Sequence, residues 1–92
     1  MEISYNPSKN ERNIHERQLS FDRAAEFDFS TAIVAVDNRR DYGENRYVAA
    51  GYLDSRLHIL CFTETAQGIR IISFRKANTR ESRKYGKPLT SN

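Results

Sequence analysis

Four stretches of the chain are apolar, β-branched or aromatic over strand length: residues 31–37 (TAIVAVD), 46–53 (RYVAAGYL), 56–64 (RLHILCFTE) and 69–76 (IRIISFRK). Such residues suit a pleated, half-buried surface. The breaks between them, DNRRDYGEN, LDSR and TAQG, carry turn residues and are short enough to join antiparallel neighbours. A four-strand meander is predicted. Ahead of it, residues 2–5 (EISY) read as a short strand. Asn6-Pro7 then opens a helix over residues 7–17, with Asn6 as N-cap and Pro7 in the first turn. Ile14 is that helix's only large apolar residue, which predicts a surface position. Ser20 caps a second short helix whose Phe21, Ala24 and Ala25 form a narrow buried stripe. Asn78 and Glu81 make a capping-box pair for a final helix, which Gly86 and Pro88 end.

The predicted order is β-α-α-β-β-β-β-α, an α+β domain with a mainly antiparallel sheet packed by helices. One domain over residues 1–87 is expected, with a disordered tail at 88–92.

Charge changes this picture more than composition does. Residues 69–87 hold seven basic side chains (Arg70, Arg75, Lys76, Arg80, Arg83, Lys84, Lys87) against Glu81 alone. Taken from totals of 15 basic and 12 acidic residues, this leaves eight basic and eleven acidic elsewhere. The +3 net charge is therefore a local excess on the last strand and helix, which points to a polyanionic or acidic partner. Cys61, the single cysteine, lies in an apolar run and is expected to be a buried structural thiol. Zinc-type Cys/His spacing, a signal peptide and a bilayer-length apolar run are all absent, so a cytoplasmic protein without metal or other cofactor is expected.

On the final helix, Arg80, Arg83, Lys84 and Lys87 are spaced to share one face. Strict strand alternation puts Arg70, Ile72, Phe74 and Lys76 on one face of their strand and Ile69, Ile71, Ser73 and Arg75 on the other. Arg70 and Arg75 then serve one site only if a twist or bulge re-aims the strand. The Arg75 fork suits a phosphate, or a carboxylate such as Glu44 or Glu64. His58 reads either as a satisfied, semi-buried histidine or as a cleft residue. No nucleophile elbow or phosphate loop is present. The chemistry left open is metal-free cleavage of RNA, in which the 2′-hydroxyl is the nucleophile and the protein supplies cations and a proton carrier. Tyr5, Tyr47, Tyr52 and Tyr85 could stack on bases or simply pack.

Several ordered pieces carry a resemblance over residues 5–85: Tyr5-Asn6-Pro7-x-Lys9, Asn13, LSFDRAAE (19–26), YGENRYVAAG (42–51), FTE (62–64) and RIISFRKANTRESRKY (70–85). With these the chain resembles the BrnT family of bacterial type II toxin–antitoxin ribonucleases. The resemblance implies a RelE-like fold and a metal-independent, ribosome-independent endoribonuclease that halts growth. It also implies a BrnA-like antitoxin, assembled as two toxins with two antitoxins, whose DNA-binding domain carries the complex to its operator.

Catalytic roles are implied for Arg75 first, then Arg70, Arg80 and Glu26, with Lys9, Lys76, Arg83, Lys84 and Tyr85 holding RNA. The chain departs from the family pattern at Glu16, Arg17 and Gln18, where members commonly read Lys-His-Gly, and at Thr65, where an arginine is common. The competing expectation is an inert module whose basic strand and helix dock an acidic partner.

Overall fold

Asn6 accepts hydrogen bonds from the backbone N–H groups of Ser8 and Lys9, so α1 (Pro7–Arg17) starts where a capped proline directs it. It ends at Gln18, left-handed at φ 53°. The computed structural model describes residues 1–91. Around α1 lie β1 (Glu2–Tyr5), a 3-10 helix (Phe21–Glu26), β2 (Ile33–Asp37), β3 (Arg46–Leu53), β4 (Arg56–Glu64), β5 (Gly68–Lys76) and α2 (Thr79–Tyr85).

The second predicted helix is thus a 3-10 segment. Its buried residues Phe21 and Ala24, followed by Phe27, recur every three positions, and Ala25 is exposed. The three-residue repeat of the tighter helix explains why the expected i, i+4 partner turns outward. The strand at 31–37 begins two residues late. Asp28 accepts hydrogen bonds from both Ser30 N–H and Oγ and from Thr31 Oγ1, so Thr31 belongs to a turn.

The predicted meander β2–β3–β4–β5 is antiparallel throughout, and β1 extends it by pairing parallel with β5. The result is a five-stranded mixed sheet in the order β1-β5-β4-β3-β2. One face carries the larger core: Leu60, Phe62, Ile69, Ile71 and Phe74 from the sheet pack against Leu19, Phe21, Ala24 and Phe27. Aromatic edges knit it together, with Phe27 at 6.0 Å from Phe74 and Phe29 at 6.0 Å from Phe62. At Gly51 the Phe27 ring comes so close that a Cβ there would lie 2.6 Å from it.

Helix α1 reaches this helix face almost without apolar help, since Ile14 is 38% exposed. Two buried asparagines dock it instead. Asn10 Oδ1 accepts the Phe21 N–H at 2.7 Å. Asn13 Nδ2 donates to the carbonyls of Leu19 (2.9 Å) and Phe74 (3.0 Å). The second of these bonds is possible because β1 ends opposite Ile71 and leaves the β5 edge open beyond it.

The opposite face is covered at one end only. Ala50, Leu57, Ile59 and Ala77 form a small core there with Tyr85 and Leu89. The tail expected to be disordered takes part in this layer. Leu57 N–H donates to Leu89 O at 2.8 Å, Ser91 N–H to Ser55 O at 3.0 Å, and Tyr52 Oη to Pro88 O at 2.8 Å. Residues 88–91 are therefore held by the β3–β4 hairpin, through its backbone and the Tyr52 hydroxyl, an interaction that composition could not announce. Asn92, the last residue of that expected tail, lies outside the described residues. Beyond this covered end the face is open.

Candidate functional site

The position of the cationic side chains depends on one irregularity. Cys61 pairs with Ser73 but Phe62 pairs with Ile71, so β5 carries an extra residue as a bulge. Strict alternation fails across it. Ile69, Ile71 and Phe74 all enter the helix-face core, while Arg70 lies opposite Thr63 and Arg75 opposite Ile59. Thr63 and Ile59 are four residues apart on β4, so both arginines point to the open face. They remain roughly 13 Å apart along the strand.

On that face a cavity of about 290 Å³ has Val48, Ile59 and Cys61 at its floor, Asp37 and Arg39 on the β2 side, and Arg75, Glu81, Lys84 and Tyr85 on the α2 side. Cys61 is half-buried and borders this cavity rather than the main core. The Arg75 fork is held by Glu81 through Nη1···Oε1 at 2.8 Å and Nη2···Oε2 at 2.6 Å. The predicted carboxylate partners were Glu44 and Glu64, and neither holds Arg75. Glu81 reaches it because the capping box fixes that side chain: its Oε1 also accepts the Asn78 N–H at 3.0 Å. Hydrogen bonds from Arg75 hold the Glu81 carboxyl below its usual range, and the same pair raises Arg75. The guanidinium is thereby permanently charged and aimed. Lys84 adds a cation at 5.3 Å from the Tyr85 ring.

Across the cavity Asp37 accepts Arg39 Nε and Nη2, each at 2.8 Å, and Tyr42 Oη at 3.3 Å. Mainly through Arg39, its pKa falls from 3.8 to about 2 despite burial. A depressed carboxylate stabilises the fold fully above about pH 4 and loses that contribution as pH falls through about 2. Asp37→Asn is expected to lower the urea midpoint at pH 7 and to flatten its further fall between those pH values. An unchanged acid limb in the variant would show that Asp37 does not govern it.

The other expected site residues are scattered. Arg70 is held by Glu44, with both contacts at 3.3 Å, in a separate depression that Thr63 and Glu64 also line. Arg80 and Arg83 are exposed on α2, and Lys87 lies past its end with Nζ 5.2 Å from the Tyr52 ring. The expected four-residue basic face is thus cut short by the αL residue Gly86 at φ 63°. Lys9 lies on α1 beside Ser73 and the free edge of β5. Glu26 is exposed on the 3-10 helix, ion-paired to Arg23, and faces away from the open-face cavity on the far side of the sheet. Lys76 borders a cleft on the helix face together with His58. Of the expected set, Arg75, Lys84 and Tyr85 meet at the open-face cavity, and Arg75 and Lys76 at the cleft on the helix face. Sequence reasoning missed Asp37, Arg39 and the partner role of Glu81. The signal available for the first two was an acid followed by paired arginines, read there only as a turn.

Among the described residues no group of three His, Cys, Asp or Glu side chains is placed to hold a metal ion. Among the same residues no helix is long and apolar enough to cross a membrane.

A family model described as "Ribonuclease toxin, BrnT, of type II toxin-antitoxin system" matches residues 5–81. The chain belongs to the BrnT family. The match begins at Tyr5, ends at Glu81 and includes Arg75 and its carboxylate partner. Among curated proteins, none matches the chain at a significant level. For a BrnT toxin, membership of a toxin–antitoxin system implies an antitoxin partner.

Proposed function

We propose that the chain is a metal-independent endoribonuclease toxin of RelE-like architecture whose open sheet face receives RNA. A single observation carries this reading: Glu81 fixes the Arg75 guanidinium at the rim of a cavity whose other rim residues include Lys84, Arg39 and Tyr85. In cleavage by an adjacent 2′-hydroxyl, the O2′–P bond forms as the P–O5′ bond breaks, and negative charge builds on the phosphate oxygens. Arg75 stabilises that charge, and Lys84 with Tyr85 holds the neighbouring backbone and a base. Arg80 and Arg83 extend the positive surface along α2, and Lys9 and Lys76 extend it round the end of β5. Arg70, held by Glu44, and Glu26, held by Arg23, have positioning or structural roles rather than contact with the scissile phosphate. The antitoxin is a BrnA-like protein that covers the cationic face, assembles as two toxins with two antitoxins, and carries the operator-DNA contacts.

Purified protein is expected to convert RNA to fragments ending in 2′,3′-cyclic phosphate and 5′-hydroxyl, at the same rate with and without EDTA. Intact RNA after prolonged incubation with folded protein would overturn the reading. That outcome would favour a docking module, since Glu81 and Asp37 already neutralise two of the cavity's arginines internally.

A further inference from the structure

A larger cleft, of about 580 Å³, opens on the helix face between the end of α1, the β3–β4 hairpin and the last residues of β5. Arg75 borders both this cleft and the open-face cavity, so the two lie on either side of the end of β5. The cleft's floor is His58, 4% exposed, with its ring 5.4 Å from Phe74. His58 Nδ1 lies 2.8 Å from the Arg56 carbonyl oxygen. A neutral imidazole meets that carbonyl by carrying its proton on Nδ1, which leaves Nε2 an acceptor. Among the described residues Nε2 has no partner. Because no fully buried polar side-chain atom among the described residues goes unpartnered, this nitrogen faces the cleft.

Three cations without a carboxylate surround that acceptor. Arg17 bonds only the neutral Asn13 side chain, at 2.7 Å. Arg56 donates to the carbonyls of Leu57 and Ala77, at 2.9 and 3.0 Å. Lys76 stands directly opposite His58 in the β4–β5 register and is exposed. None of the three forms an ion pair among the described residues. The one acid lining the cleft, Asp54, is engaged by Arg23 through two bonds of 2.8 and 2.9 Å. Burial first holds the His58 pKa below its usual value. The hydrogen bond to the Arg56 carbonyl opposes this, the charges of Arg56 and Lys76 reinforce it, and Asp54 acts the other way. Like charges gathered round a neutral acceptor repel one another until an anion fills the space. No Phe, Tyr or Trp lines the cleft, so a base there can stack only on the His58 ring or an arginine plane, contacts that tolerate any base.

We propose that this cleft binds one nucleotide of an RNA strand, with Arg17, Arg56 and Lys76 on its phosphate and His58 Nε2 accepting the ribose 2′-hydroxyl. The site reads the sugar and backbone and is indifferent to the base. Such an acceptor distinguishes RNA from DNA, which has no hydroxyl to donate. The assignment rests on the RNA-cleaving reading for its biological sense, and it extends the bound strand from the open-face cavity past Arg75 to the far side of β5.

The test uses non-cleavable probes, a ribonucleoside 3′-monophosphate and its 2′-deoxy counterpart, titrated into the wild-type chain and followed by the His58 ring resonances. The ribonucleotide is expected to bind about fivefold more tightly, the effect of one hydrogen bond of ordinary net strength. Changing the base should alter neither affinity. In calorimetric titrations, which need no His58 signal, His58→Leu should equalise the two probes, and Lys76→Ala, at an exposed position, should weaken both equally. Equal affinities in the wild type, or binding of inorganic phosphate that the ribonucleotide does not improve, overturn the proposal. So does a failure of either probe to perturb His58. Because no cleavage is read, these outcomes are separate from the RNA-cleavage result that decides the proposed activity.

Discussion

Arg75→Ala is expected to lower the single-turnover rate of RNA cleavage by about 10²–10³-fold, the usual effect of removing one preorganised donor to a developing oxyanion. The same variant should relieve growth arrest in cells that lack antitoxin. The size of the effect follows from how the side chain is held. Both terminal nitrogens contact Glu81, and Glu81 is itself fixed by the N-cap of α2. No rearrangement is then needed as charge builds on the phosphate. Glu81 keeps its bond from Asn78 in the variant, and a melting curve separates any structural cost of its lost partner from the loss of activity. Arg75→Lys keeps the charge but loses the planar fork, and should fall between the two. An unaltered melting curve with full toxicity in Arg75→Ala would remove Arg75 from the mechanism.

The second large effect is on stability. Asn13→Ala is expected to destabilise the fold by about 2–4 kcal/mol, because two buried carbonyls lose their donor at once. Those carbonyls belong to Leu19 and Phe74, and the Asn13 side chain is 3% exposed. At roughly 4–8 °C per kcal/mol for a chain of this size, the melting temperature should fall by about 8–32 °C. Ile14→Ala, the adjacent apolar truncation, should cost under about 1 kcal/mol because Ile14 already meets solvent. Urea unfolding of both variants checks the ranking. If Ile14→Ala proves the more damaging, α1 docks by apolar contact and the polar account fails.

The elements with strong local signals could be read directly from the chain. Caps at Asn6 and Asn78, the αL stop at Gly86 and the apolar strand runs each act within a few residues, and the structure contains all of them. What went unread depends on partners distant in sequence. A helix with one large apolar residue gives no hint that Asn10 and Asn13 anchor it, since their acceptors and donors lie in other elements. The tail at 88–91 is polar and short, and its order comes from backbone bonds to the β3–β4 hairpin. Arg39 read as turn material because its role depends on a cavity that neighbouring strands create.

Amino-acid order alone determined the strand and helix series, the concentration of positive charge after residue 69, and, through its ordered motifs, the BrnT family. Periodicity, capping and net charge are local sums, so they survive without coordinates. Tertiary structure decided which cations meet. An extra residue in β5 shifts its register against β4 and turns Arg75 to the same face as Arg70, where a period of two had separated them. A bulge is a property of two paired strands, and its effect on side-chain direction exists only once they are paired.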